Sequence, residues 1–161
     1  MKKFYLVLVG LLILMAVGCG KEKSSGPVDL DFGVGAYRAN WDENNLTDKA
    51  IKIDSTKLMN EFLEQHVPFT EEDKEVVMKY DDDFFKKKVV YAYVTNESSG
   101  SNLLEPANAI RDGENLKLKV KRIIPQIGTM DMAARVALFE LKRDDVENVT
   151  DVTVSVEDIQ K

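Results

Sequence analysis

The chain holds one cysteine, Cys19, and one histidine, His66. A lone cysteine excludes an internal disulfide and any cysteine-ligated zinc site. A lone histidine means that a serine–histidine or cysteine–histidine nucleophile would have to use His66. No Gly-x-Ser-x-Gly elbow accompanies it. Positive charge is also in deficit: the formal net charge is -6. Such an acidic chain repels phosphate backbones, which argues against nucleic acid as a partner. It has no general attraction to anionic lipid headgroups either. Internal repeats and a second linker are absent. What remains is 44% hydrophobic and 31% charged over 161 residues, enough for one domain with a real core.

The cysteine's position accounts for it. Lys2-Lys3 form a short basic start, and residues 4–17 are apolar apart from Gly10. That run has the length of a signal-peptide core and falls short of the roughly 20 residues a membrane span needs. It ends in Ala16-Val17-Gly18-Cys19, which resembles the bacterial lipobox, with Ala16 where Leu is commoner. The resemblance implies diacylglycerylation of Cys19, cleavage after Gly18, and Cys19 as the mature N-terminus. Removing residues 1–18 takes away Lys2 and Lys3 and no acid, leaving 20 basic against 28 acidic residues, or -8. Each buried methylene contributes about 0.8 kcal/mol, so two or more acyl chains hold a protein stably on a membrane. Residues 20–28 are small, charged and turn-prone, as a flexible tether should be. The organisation expected is therefore a signal peptide over 1–18, a lipidated Cys19 with its tether over 19–28, and one globular domain over 29–161. Its place is the cell membrane or outer membrane, facing away from the cytoplasm.

Within 29–161 the patterns predict an α+β domain: a small antiparallel sheet or partly open sandwich, with about two helices in the first half. Residues 29–40 alternate loosely, as an irregular first strand would, and 41–49 are polar and Asn-rich, as a loop would be. A short strand at 50–54 leads to Ser55, a candidate N-cap. Leu58, Met59, Phe62, Leu63 and His66 then share one helical face, and Pro68 closes the helix. Thr70-Glu71-Glu72-Asp73 resembles a capping box and predicts a second helix to about Tyr80. The run 89–94 predicts a central strand covered on both faces. Asp112-Gly113 predicts a hairpin. Leu116, Leu118 and Val120 alternate with lysines, which predicts a strand with one wet face. The sets Ala137, Phe139, Leu141 and Val152, Val154, Val156 predict the same. Residues 144–148 read as a polar turn, and the second half as at least four antiparallel strands.

Residues 81–157 carry a longer pattern. An acidic-aromatic run, Asp81-Asp82-Asp83-Phe84-Phe85-Lys86-Lys87-Lys88, enters the strand at 89–94. A loop Ser98-Ser99-Gly100-Ser101 follows, then the hairpin, then Ile123-Ile124-Pro125 and a Gly-Thr-Met-Asp-Met loop. This order resembles the small β domain of PrcB-like protease-complex lipoproteins. That family usually shows a Thr-Gly-Gly-Tyr-like sequence where this chain has Ser99-Gly100-Ser101-Asn102. The resemblance implies an accessory domain without catalysis that binds or steadies another protein of the cell envelope.

The candidate chemistry is modest. His66 ends an amphipathic helix and reads as a packed residue. Asp81-Asp82-Asp83 lacks the spacing of a calcium loop and runs directly into lysines, so it reads as a self-neutralised turn that starts the strand. Asp29-x-Asp31 lacks the closing acid of a calcium motif, because Asn40 stands there. No catalytic residue, metal site or cofactor is expected. The functional expectation falls on two loops, 95–104 and 125–133, rich in Ser, Asn, Gly and Met. Ser99, Gly100, Ser101, Asn102, Met130 and Met132 are the candidate partner-binding residues, the methionines as adaptable apolar contacts. The expected function is a membrane-tethered lipoprotein acting as a protein-binding or accessory module. The alternative is a small-ligand-binding lipoprotein of an uptake or sensing system.

Overall fold

A computed structural model describes residues 26–39, 41–42, 49–66 and 79–161. The lipobox, Cys19, the tether through residue 25, most of the 41–49 loop and the expected helix of 70–78 lie outside the described residues. The elements are β1 (Val28–Asp29), β2 (Phe32–Ala39), β3 (Ile51–Ile53), α1 (Thr56–His66), α2 (Asp82–Lys87), β4 (Lys88–Glu97), β5 (Leu103–Asp112), β6 (Asn115–Ile124), β7 (Ala133–Lys142), a 3-10 turn (Arg143–Asp145) and β8 (Asp151–Gln160). The strands form two four-stranded sheets, ordered β1-β5-β6-β8 and β2-β7-β4-β3. Every pairing is antiparallel except β6 with β8. The class is thus mostly antiparallel β with helices, as expected.

β4 and β7 sit at the centre of their sheet, and both are buried on both faces. Val90, Ala92, Val94, Val136 and Leu138 pack with Met59, Phe62 and Leu63 of α1 and with Phe85 of α2. Val89, Tyr91, Tyr93, Phe139 and Leu141 point the other way and pack with Leu104, Ala109, Leu116, Leu118 and Val120 of the other sheet. The continuous apolar run of 89–94 thus has the two covered faces its composition predicts. β7 corrects the expectation of one wet face. Ala137, Phe139 and Leu141 do face one core, but Val136 and Leu138 face the second, and Glu140 is buried beside them. Glu140 is held there by Lys79 at 2.6 Å, Lys88 at 3.3 Å and a hydrogen bond donated by Tyr80 at 3.1 Å. Burial alone would raise its pKa, yet the Lys79 and Lys88 ammoniums and the Tyr80 hydroxyl hold it below the ordinary glutamate value.

Local chemistry sets the helices. Ser55 Oγ accepts from the Leu58 N–H at 3.3 Å and starts α1. Met59, Phe62, Leu63 and His66 are its buried face, whereas Leu58 is 41% exposed. His66 packs against Phe62 with ring centroids 4.8 Å apart and tilted by 43°, and burial lowers its pKa. The Asp81–Asp83 run is not a turn leading straight into the strand, as expected, but the start of α2. Asp81 caps it by accepting from the Phe84 N–H at 2.7 Å. Acids fill its first turn and Lys86-Lys87 its last, the order that suits the helix dipole. Phe85 is buried against Tyr80 and Phe84 and anchors α2 to the core.

The remaining strands refine the expectation. Leu116, Leu118 and Val120 are buried and the lysines between them exposed. The hairpin turn is Gly113-Glu114, one residue later than the dipeptide suggested, with Asp112 paired to Asn115. Gly113 has φ +63°, which the first position of a II′-type turn requires. The described part of the expected first strand is more regular than its loose alternation suggests, since β2 pairs with β7 residue by residue from Phe32 to Ala39. β8 corrects the all-antiparallel second half: it follows β7 across to the other sheet and pairs parallel to β6. Arg143 ties that crossing down by donating to the Phe85 carbonyl at 2.6 Å and the Asp54 carbonyl at 2.9 Å.

Replacing Phe139, which is fully buried between the sheets and in ring contact with Phe32, by Ala should destabilise the fold by about 3–5 kcal/mol in urea unfolding. A loss under about 1 kcal/mol would mean that this core is loosely packed.

Candidate functional site

β4 and β7 end together: Glu97 pairs with Ala133, so the loops leaving that end, 98–102 and 125–132, emerge side by side. They dock onto each other. The Gly100 N–H donates to the Asp131 carbonyl at 2.8 Å. Ser99 Oγ accepts from the Thr129 N–H and donates to the Thr129 carbonyl, both at 2.9 Å, and lies 2.8 Å from Ser101 Oγ. Arg135 donates to the Gly100 carbonyl. Arg38 of β2 meets the Asp131 carboxylate at 2.5 Å. A Cβ on Gly100 would collide with that carboxylate, so the approach requires glycine. The Thr129 hydroxyl and the Arg38 guanidinium hold the Asp131 carboxyl at a pKa of about 2. The far side of the second loop is fixed by the Gln126 N–H, which donates to the Lys161 carbonyl at 2.7 Å.

Beneath the loops lies a buried charge. Glu97, 3% exposed, accepts from Asn102 Nδ2 at 2.9 Å and from Arg122 Nε at 2.9 Å. Arg122 belongs to the other sheet and also meets Asp158 at 3.1 Å. The ion pair therefore joins the two sheets at the base of the loop pair.

The two loops picked out by sequence thus come together, but their residues divide by role. Gly100 and Asn102 are buried, and Ser99 and Ser101 are half-buried. All four are occupied in holding the loops. Met130 is fully exposed and Met132 is 58% exposed. Ile127, 88% exposed, joins them. Sequence reasoning passed over it, although an isolated β-branched residue between Gln126 and Gly128 fits neither a strand nor a turn. The first loop is also shorter than expected, because β4 continues to Glu97 and β5 begins at Leu103.

Other candidates have local duties. Asp81 caps α2, Asp82 accepts from the Thr56 hydroxyl at 2.6 Å, and Asp83 pairs with Lys86 at 2.7 Å. Asp29 accepts from Asn108 at 3.1 Å. Between β2 and β5 a cleft of about 210 Å³ is lined by Tyr37, Arg38, Leu103, Leu104, Glu105 and Arg135. His66, on α1, is remote in role from the loop hydroxyls, since its ring contact is with Phe62. No family model, no curated protein and no solved structure matches this chain.

Two measurements check these roles. Asn102→Ala should cost about 1–3 kcal/mol in urea unfolding, because it strips a donor from a buried carboxylate. No loss would show Asn102 free to serve a partner instead. Asp131, with its depressed pKa, supports loop docking above the ordinary aspartate range and loses that support as pH falls through about 2. A carboxyl NMR titration should therefore show its midpoint near 2, and Arg38→Ala should move it up part of the way toward the ordinary value. An ordinary midpoint in the unaltered protein would mean that the Arg38 contact does not persist.

Proposed function

We propose that this chain is an extracytoplasmic lipoprotein, anchored through Cys19, whose domain over 29–161 is a protein-binding accessory module of the cell envelope. The observation that carries the partner surface is the exposure of Ile127, Met130 and Met132 on a loop pinned at several points. A loop already held in one shape loses little conformational entropy on binding. Methionines are adaptable contacts, and apolar side chains exposed together mark interaction sites more often than scattered ones do. The lipobox resemblance supports the anchor, and the PrcB-like order of residues 81–157 agrees with an accessory role. As for architecture, the reading of two sheets facing each other as a partly open sandwich, with α1 and α2 outside the second sheet, is supported by the separate cores on the two faces of β4 and β7.

The small-ligand alternative draws on the cleft beside Arg38 and Arg135. Its volume of about 210 Å³ is below the roughly 300–1,000 Å³ of sites that enclose drug-sized ligands, which places this reading second.

The test has two arms on the full-length protein in its native membranes. Labelled palmitate should enter the wild type and not Cys19→Ser, and the variant should leave the membrane fraction; label retained on the variant sinks the anchor. Crosslinking followed by capture should recover one partner in fixed proportion. The triple change Ile127→Ser, Met130→Ser, Met132→Ser should lower that recovery at least tenfold, with a shift of melting temperature under about 2 °C. Equal recovery by both proteins removes the loop from the function.

A further inference from the structure

β8 leaves an edge of its sheet open in a way the other strands do not. Asp151 donates its N–H to the Glu114 carbonyl at 3.3 Å, Lys161 donates to Ile124 at 3.0 Å, and the Lys161 carbonyl accepts from Gln126 at 2.7 Å. In a parallel ladder alternate residues turn both backbone groups to one side. Odd-numbered residues of β8 therefore bond to β6, and Val152, Val154, Val156, Asp158 and Gln160 direct their N–H and C=O groups outward. Among the described residues, no strand lies beyond β8. Natural edges are blunted by proline, charged side chains, bulges or brevity. β5 has Pro106 and a register shift between Pro106 and Asn108, and β3 is three residues long. β2 faces β5 across the cleft. β8 is ten residues long, contains no Pro, Gly or Lys, and pairs with β6 without a register shift. Of its three acids, Glu157 and Asp158 are neutralised within the sheet by Lys119 at 2.7 Å and Arg122 at 3.1 Å, and Asp151 stands at its end.

We propose that this edge is a homodimerisation strand, on which a second copy of the chain pairs its own β8 antiparallel, in a register centred on Val156. The strand's own sequence selects that occupant and that register. Val156 then meets Val156 of the second copy, Val154 meets Asp158, and Val152 meets Gln160. All of these are hydrogen-bonded positions, so every outward N–H and C=O finds a partner. Between them Ser155 faces Glu157, Thr153 faces Ile159, and Asp151 faces Lys161 at both ends. No acid opposes an acid directly. Centring on Val154 instead sets Asp151 against Glu157, a like-charge pair. Centring on Ser155 leaves Gln160 unpaired and Lys161 without its acid. The pairing keeps the valine faces of both copies on one side, where the half-buried Val156 lies opposite its counterpart and diagonal to Val154 of the second copy. Since β8 ends beside the loop 125–132, antiparallel pairing puts the two partner-binding loops at opposite ends of the dimer.

The test uses the full-length protein in detergent, with its mass measured by light scattering corrected for the micelle. The wild type should be a dimer. Val156→Pro removes one outward N–H while leaving the ladder to β6 intact, and it should be a monomer. Val156→Thr keeps the N–H and should remain a dimer. Independently, differently tagged chains carrying Ser155→Cys and Glu157→Cys should form a mixed disulfide when combined. Antiparallel residues at that kind of position lie about 4.5 Å apart between Cα atoms, within the disulfide range. Peptide mass spectrometry separates this bond from any made by Cys19. A monomeric wild type, or a dimer that survives Val156→Pro, overturns the interface. Self-crosslinking of Ser155→Cys in place of the mixed bond overturns the register.

Discussion

Ten consecutive residue pairs join β4 to β7, from Lys88 with Lys142 to Glu97 with Ala133, and the rest of the molecule is arranged around them. Val89, Tyr91 and Tyr93 line up with Leu141, Phe139 and Ala137 and fill the core toward the other sheet. Val90, Ala92 and Val94 line up with Glu140, Leu138 and Val136 on the face that α1 and α2 cover. A slip of one residue would exchange the two sets and present each core with side chains shaped for the other. Because two cores read the same register from opposite faces, it is specified twice. The loop pair inherits that precision, since both loops leave from the last rung.

Two buried carboxylates mark the two faces of this pairing. Glu97 points between the sheets and meets Arg122 and Asn102; Glu140 points to the helical side and meets Lys79, Lys88 and Tyr80. Removing one partner of such a group strands a charge away from water, which costs far more than losing a surface pair. Arg122 reaches Glu97 from the other sheet, and Lys79, Tyr80 and Lys88 reach Glu140 from more than fifty residues away, so each group favours one arrangement of the elements over near alternatives. At the loop end, Glu97, Asn102 and Arg135 support the loops from below, and Ile127, Met130 and Met132 are left exposed. The apolar tip is held in shape by polar groups that do not themselves form its surface.

Much of the fold was legible in short-range pattern. The alternation of Leu116, Leu118 and Val120 with lysines, the apolar run of 89–94, the cap at Ser55 and the glycine turn at 113 each express a local rule, and each is met. The misreadings have local causes too. Asp81-Asp82-Asp83 looks like a solvated turn until Asp81 is recognised as a cap and the charges are seen to run in helix-dipole order. Glu140 makes β7 look wet on one face, because an ionised side chain reads as exposed until its three partners are in place. The site was half legible: composition drew attention to both loops and to Met130 and Met132, but it could not separate Gly100 and Asn102, which support, from the side chains that project.

By itself the sequence determined the mostly β character and which faces of the regular strands turn inward. These follow from hydrophobic period and turn chemistry, which act over a few residues. Only the tertiary structure decided that β8 runs parallel to β6, that β7 has two covered faces, and that loops thirty residues apart form one surface. Strand direction and loop proximity leave no mark on side-chain alternation, because a period of two is the same for either direction. They are fixed by where the chain must cross from one sheet to the other, and by buried partners that only the folded chain brings within reach.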